Sequence, residues 1–234
     1  RSDALTDFSE RIPLMNRREF SMQTASALGL GLAGAPLLAS AQGGPVEGQH
    51  YTRLAQAAPV SAPAGKVEVV EFFWYGCPHC YHFEPSLAAW VARLPAHVVF
   101  RRVPWAYREN PFGVHQRLFY ALEAMGLVGT LHEKVFNAMH QPGGTLQGGS
   151  ANLDQIAAFL ATQGVDKDKF RSVYDSFSVQ TKVRQARALA EAYRIDGVPT
   201  VGIGGQFTTS VSLNGNASRT LATVDFLIER LRKG

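Results

Sequence analysis

The run Glu71-Phe72-Phe73-Trp74-Tyr75-Gly76-Cys77-Pro78-His79-Cys80 decides how the rest of the chain folds. From Val67 to Phe73 every residue is β-branched or aromatic except Glu68 and Glu71, a pattern that predicts a central strand buried on both faces. Gly76 ends that strand. Pro78 then fits the first turn of a helix, where its missing N–H removes no bond, so the helix runs on through Cys80 and Leu87 towards Val91. Cys77 falls at its N-terminus, where free N–H groups and the positive end of the dipole favour a thiolate. His79 can add a positive charge or a donor beside it. Cys77 and Cys80 are the only two cysteines in the chain. The loop they close is so short that a crosslink removes little entropy from the unfolded chain, a weak reason for a structural disulfide. A zinc site wants four protein ligands, and only His79 and His82 stand nearby. The pair is therefore read as chemically active. Each tenfold gain in acidity stabilises a thiolate by about 1.4 kcal/mol. That gain belongs to the reduced form and raises the oxidising power of the disulfide by about 30 mV.

With these residues in place, Cys77-Pro78-His79-Cys80 followed by Tyr81 resembles the active site of the DsbA family, exported thiol oxidases with a thioredoxin fold. Gly197-Val198-Pro199-Thr200 resembles the cis-proline loop that faces the cysteines in that family. Glu71, six residues before Cys77, matches the family's buried acid. The resemblance covers roughly Val46 to the C-terminus. It implies an α/β chain: a thioredoxin-like fold with an inserted all-helical domain. It also implies that Cys77 is the exposed sulfur that a substrate thiolate attacks, with Cys80 as its partner and Pro78 and His79 tuning the pair. Glu71 would then handle the proton of Cys80, with Arg101 or Arg102 as the accompanying base. Val198 and a cis Pro199 would offer backbone to an extended substrate segment, as in strand addition. No metal or organic cofactor is implied. The partners implied are folding exported proteins with free cysteines and a DsbB-like membrane protein that passes electrons to quinone, and the protein would act as a monomer. Trp74, Tyr75 and Phe83 read as core or rim without a role of their own. Two alternatives stay open. One is an exported reductase or isomerase on the same fold, although Gln42 to Lys66 is too short for a dimerisation domain. The other is a redox-inactive peptide-binding chaperone.

The chain has 234 residues and a net charge of +4, with apolar and charged fractions ordinary for a globular protein. No basic run or basic-aromatic stripe supports nucleic-acid binding. Residues 1–41 read as an upstream extension followed by a secretory signal peptide. Met15 is the expected start of that peptide. It carries Arg17-Arg18, an apolar stretch from Ala25 to Leu38, and a small-residue cleavage site at Ala39-Ser40-Ala41, so Gln42 opens the exported protein. The paired arginines fit a twin-arginine signal as well as the general secretory route. The apolar stretch is shorter than the roughly 20 residues of a spanning helix. Export points to the periplasm, where a labile disulfide can persist.

Residues 42–107 are then expected to hold a short edge strand near Tyr51 to Arg53 and a βαβ unit whose second strand is Val98 to Val103. Pro85 should kink the active-site helix. Residues 108–190 read as a helical insertion, with apolar residues at helical spacing in Leu118, Phe119, Leu122 and Met125 and again in Leu131, Val135 and Met139. Ser150 or Asn152 can cap its next helix, and a break is expected near Ser176 to Ser178. Residues 191–234 return to a hairpin, Thr200 to Ile203 and Gln206 to Thr209 around Gly204-Gly205, and end in an amphipathic helix.

Overall fold

The computed structural model describes residues 43–233, so the expected leader and cleavage site lie outside the described residues. Val67–Phe73 forms a strand whose residues are buried almost without exception, as its apolar run requires. Numbered in chain order, Thr52–Arg53 is β1, Val67–Phe73 is β2, Val98–Pro104 is β3, Thr200–Ile203 is β4 and Phe207–Ser210 is β5. They make a five-stranded sheet in the order β1-β5-β4-β2-β3. Strand β2 pairs in parallel with β3, with Val67 beside Val98 and Glu71 beside Arg102. Its other edge pairs antiparallel with β4. The strand before the cysteines is therefore flanked on both sides, and β1 closes the far edge against β5.

The parallel pair β2 and β3 is joined by α1, Pro78–Val91. This helix runs on through Pro85, which lies on its exposed face while Phe83, Glu84, Leu87 and Trp90 carry the packing. One sheet face, with Val69, Val201, Ile203 and Phe207, packs against Phe83, Leu87 and Trp90 of α1 and against Leu221, Val224 and Leu227 near the C-terminus. The other face, with Val70, Phe72 and Val103, packs against the helices that separate β3 from β4.

Those helices are α2 (Val114–Ala124), α3 (Val128–His140), α4 (Leu153–Thr162), α5 (Lys167–Tyr174) and α6 (Phe177–Ala192). Of the two capping candidates, Asn152 is the one used. Its side chain accepts from the backbone N–H of Gln155, and Gln155 reciprocates, both at 3.0 Å. The break near Ser176 is a second cap, since the Ser176 hydroxyl accepts from Val179 N–H at 3.3 Å and starts α6. After β5 come α7 (Val211–Asn214), which the sequence pattern did not suggest, and α8 (Ala217–Lys233). Among the described residues no helix is long and apolar enough to cross a membrane.

Candidate active site

Cys77 caps the N-terminus of α1, and its sulfur lies 3.4 Å from the backbone N–H of Cys80. Both cysteines are free thiols. The Cys77 thiol is acidified to about 6, first because the Cys80 thiol can donate to its thiolate. Burial opposes this, while the backbone N–H groups of Cys80 and His79 and then the charge of His79 add to it. His79 is exposed, and its charge is the smallest of these named influences. Burial drives the Cys80 thiol the other way, well above the ordinary range, helped by the neighbouring Cys77 and Glu71 charges. The two sulfurs are thus chemically unequal. Cys77 is less open than the sequence suggested, with 7% of its surface exposed against 0% for Cys80.

What remains of Cys77 looks into a shallow depression of about 550 Å³ lined by Trp74, Trp105, Tyr107, Phe112, Asp196 and Val198. The Val198–Pro199 bond is cis, and the Val198 carbonyl accepts from the Cys77 thiol at 3.5 Å. This brings the second sequence motif against the first across 121 residues of chain. A further cis bond, Asn110–Pro111, was not anticipated.

Glu71 lies under the cysteines on β2, 1% exposed. Burial raises its carboxyl to about 8, against the pull of Arg102 and with help from the charge of Glu84. Arg102 Nε comes within 3.2 Å of one Glu71 oxygen, yet neither oxygen receives a hydrogen bond from the described residues. The same guanidinium donates to Glu84 Oε1 at 2.5 Å. Of the two basic candidates, Arg102 is therefore the one beside Glu71, because alternation along β3 sends Arg101 to the opposite face. There Arg101 pairs with Glu68 at 3.0 Å.

Three histidines of the helical segment grip the two residues before Gly76. The Trp74 indole N–H donates to His115 Nδ1 at 2.9 Å, the Tyr75 hydroxyl meets His132 Nδ1 at 2.8 Å, and His140 Nε2 meets the Tyr75 carbonyl at 2.7 Å. Burial lowers His115 to about 4 and also lowers His132. Trp74 stacks on Phe112 with ring centroids 4.1 Å apart. Gly149, at φ +63°, lies so close to Gly76 that a Cβ on it would sit 2.9 Å from the Gly76 Cα.

The sequence reading missed Glu84, His132 and the aromatic wall. Glu84 carried a signal: it falls one turn after Cys80 and one before Leu87, a lone carboxylate on the buried side of α1. His132 carried none, since only the packing of α3 brings it beneath the site. Trp74 and Tyr75, core or rim by sequence alone, do have contacts at the site: Trp74 lines the depression at Cys77 and Tyr75 is hydrogen-bonded to His132.

Comparison with known proteins agrees with this geometry. Residues 112–220 match a family model described as a DSBA-like thioredoxin domain. The thiol:disulfide interchange protein DsbA of Burkholderia cepacia is 45% identical over 205 residues, covering 88% of this chain and 94% of that protein. DsbA of Pseudomonas aeruginosa strain PAO1 is 43% identical over 185 residues, 79% of this chain and 85% of its own length. The crystal structure of Pseudomonas aeruginosa DsbA superposes with a TM-score of 0.75 at 41% identity, covering 81% of this chain and 95% of that one. The Xylella fastidiosa DsbA structure gives 0.74 at 32% identity, covering 81% and 99%. From the unequal cysteine pair to these relatives, the observations converge: this chain belongs to the DsbA family of thiol:disulfide interchange proteins.

Proposed function

We propose that this thiol:disulfide oxidoreductase donates a Cys77–Cys80 disulfide to folding exported proteins in the periplasm. A substrate thiolate attacks the Cys77 sulfur. The Cys77–Cys80 bond breaks, Cys80 leaves as a thiolate, and Glu71 gives it a proton. A second substrate thiolate then attacks the substrate sulfur of the mixed disulfide and expels Cys77 as a thiolate. The substrate loses two electrons and gains a disulfide, and the pair ends reduced. Val198 and Pro199 line the place where an extended segment would lie, and Pro78 starts the helix that aims Cys77. A DsbB-like, quinone-linked membrane protein would reoxidise the pair, and cleavage before Gln42 would release the chain.

The observation that carries this reading is the inequality of the two sulfurs: Cys77 acidified at a helix start, Cys80 buried and held as a thiol. A disulfide whose reduction yields a stabilised thiolate is a strong oxidant. Equilibration with glutathione buffers tests it. A potential towards about −120 mV, the established value for DsbA itself, is expected; one near about −270 mV, that of thioredoxin, would make the protein a reductase.

A further inference from the structure

The charges beneath the cysteines do not stop at Arg102. Arg102 is divided between Glu71 and Glu84, and the second Glu84 oxygen faces His132 Nε2 at 3.5 Å. Among the described residues neither that oxygen nor that nitrogen has a hydrogen-bond partner of its own, so each is the polar group the other meets. At its far side, His132 Nδ1 meets the Tyr75 hydroxyl. The ring is 6% exposed and boxed edge-on by Phe73, Phe119 and Phe136 at 5.1 to 6.0 Å, so it cannot turn away. The groups that face it are Tyr75 before α1, Glu84 on α1, Arg102 on β3 and Glu133 on its own helix.

This arrangement fixes the tautomer. A neutral imidazole has one N–H. If Nδ1 carried it, the Nε2 lone pair would point at a carboxylate oxygen in a dry site. With Tyr75 donating to Nδ1, the proton sits on Nε2 and points at Glu84.

We propose that His132 is a positioning residue for the proton-handling carboxylate Glu71: by aiming an N–H at the far oxygen of Glu84, it keeps Arg102 shared between the two carboxylates. Without that N–H, Glu84 draws the guanidinium to itself, and Glu71 loses the one cation that the described residues place beside it and holds its proton more tightly. The proposal rests on the reading of Glu71 as the acid that protonates Cys80.

The test is the infrared band of the protonated Glu71 carboxyl in the reduced full-length protein, identified by its loss in Glu71→Gln and followed as a function of pH. In His132→Leu its midpoint should rise, on the order of tenfold in proton affinity. His132→Gln, which restores an N–H donor, should return it towards wild type. Tyr75→Phe, which refills the ring volume but releases the tautomer, should move it in the same direction as the leucine variant and decides the matter should that variant not fold. Unmoved midpoints in folded Leu and Phe variants would overturn the role of His132 and leave Glu71 intact. Absence of any Glu71 band in the wild type would overturn the reading of Glu71 and this proposal with it.

Discussion

Replacing Glu71 by glutamine tests the buried acid through stability alone. The carboxyl ionises near 4.5 in ordinary surroundings and near 8 in the folded protein. Between those values the folded state binds the extra proton, so stability falls as pH rises; the penalty is absent below about 4.5 and complete above about 8. At about 1.4 kcal/mol per tenfold, the displacement sets a ceiling of about 5 kcal/mol. Glutamine keeps the shape of the neutral acid and leaves Arg102 one-to-one with Glu84. Reduced wild-type and Glu71→Gln proteins should therefore unfold in urea with similar stability at about pH 5, and the variant should be more stable by about 2–5 kcal/mol at about pH 9. The Cys77 thiolate has the opposite trend, present above about 9 and lost as pH falls through about 6, and it largely cancels because both proteins carry it. A difference that does not change with pH would refute the reasoning and make Glu71 an ordinary carboxylate satisfied by Arg102.

Cys77→Ser should reduce oxidase turnover on a dithiol peptide to background, and Cys80→Ser should accumulate a mixed disulfide at Cys77; turnover surviving the first change would remove Cys77 as nucleophile. In the reduced wild type, thiolate absorbance should titrate for one sulfur with a midpoint near 6. A midpoint near the ordinary cysteine value of about 8.5 would mean that neither the Cys80 thiol nor the helix start acidifies Cys77. Gly149→Ala places a Cβ at φ +63° against Gly76, and the left-handed conformation alone costs about 1–2 kcal/mol. Thermal unfolding should drop by about 2–4 °C for each kcal/mol, and an unchanged midpoint would show that the loop shifts freely off the active-site turn.

Much of the fold was legible because its signals are local. Gly76, Pro78 and the apolar run before them fix a strand, a turn and a helix start within a dozen residues, and Asn152 and Ser176 mark their helices by capping chemistry that acts over three residues. The meeting of the Val198–Pro199 loop with Cys77 was legible for another reason: the resemblance joined two motifs that no periodicity links. The acid Glu71 was legible as a charge in an otherwise apolar strand, but its partner was not. Choosing Arg102 over Arg101 needs the register of β2 against β3, and that is set by packing on both faces of the sheet. The aromatic wall and the three histidines lie further out of reach. They come from helices whose patterns announce a buried face without saying which strand end it will cover. Pro85 shows the limit of a local rule, since a residue that disfavours a helix interior is carried by the packing of its neighbours.

The grip of His115, His132 and His140 on Trp74 and Tyr75 bears on whether this redox centre could live in a smaller protein. Excising the helical segment to leave a minimal strand-and-helix core would strip the partner from the Trp74 indole N–H, the Tyr75 hydroxyl and the Tyr75 carbonyl together. It would also bare the side chains of Val70, Phe72 and Phe73 to water, at about 1.5–3 kcal/mol each. The three together rival the whole stability of a typical small domain. The helical segment is therefore not a detachable accessory on a self-sufficient catalytic unit. In this chain the polar wiring of the active-site turn runs through it, and the thiol pair and the insertion must be inherited, transplanted or engineered as one piece.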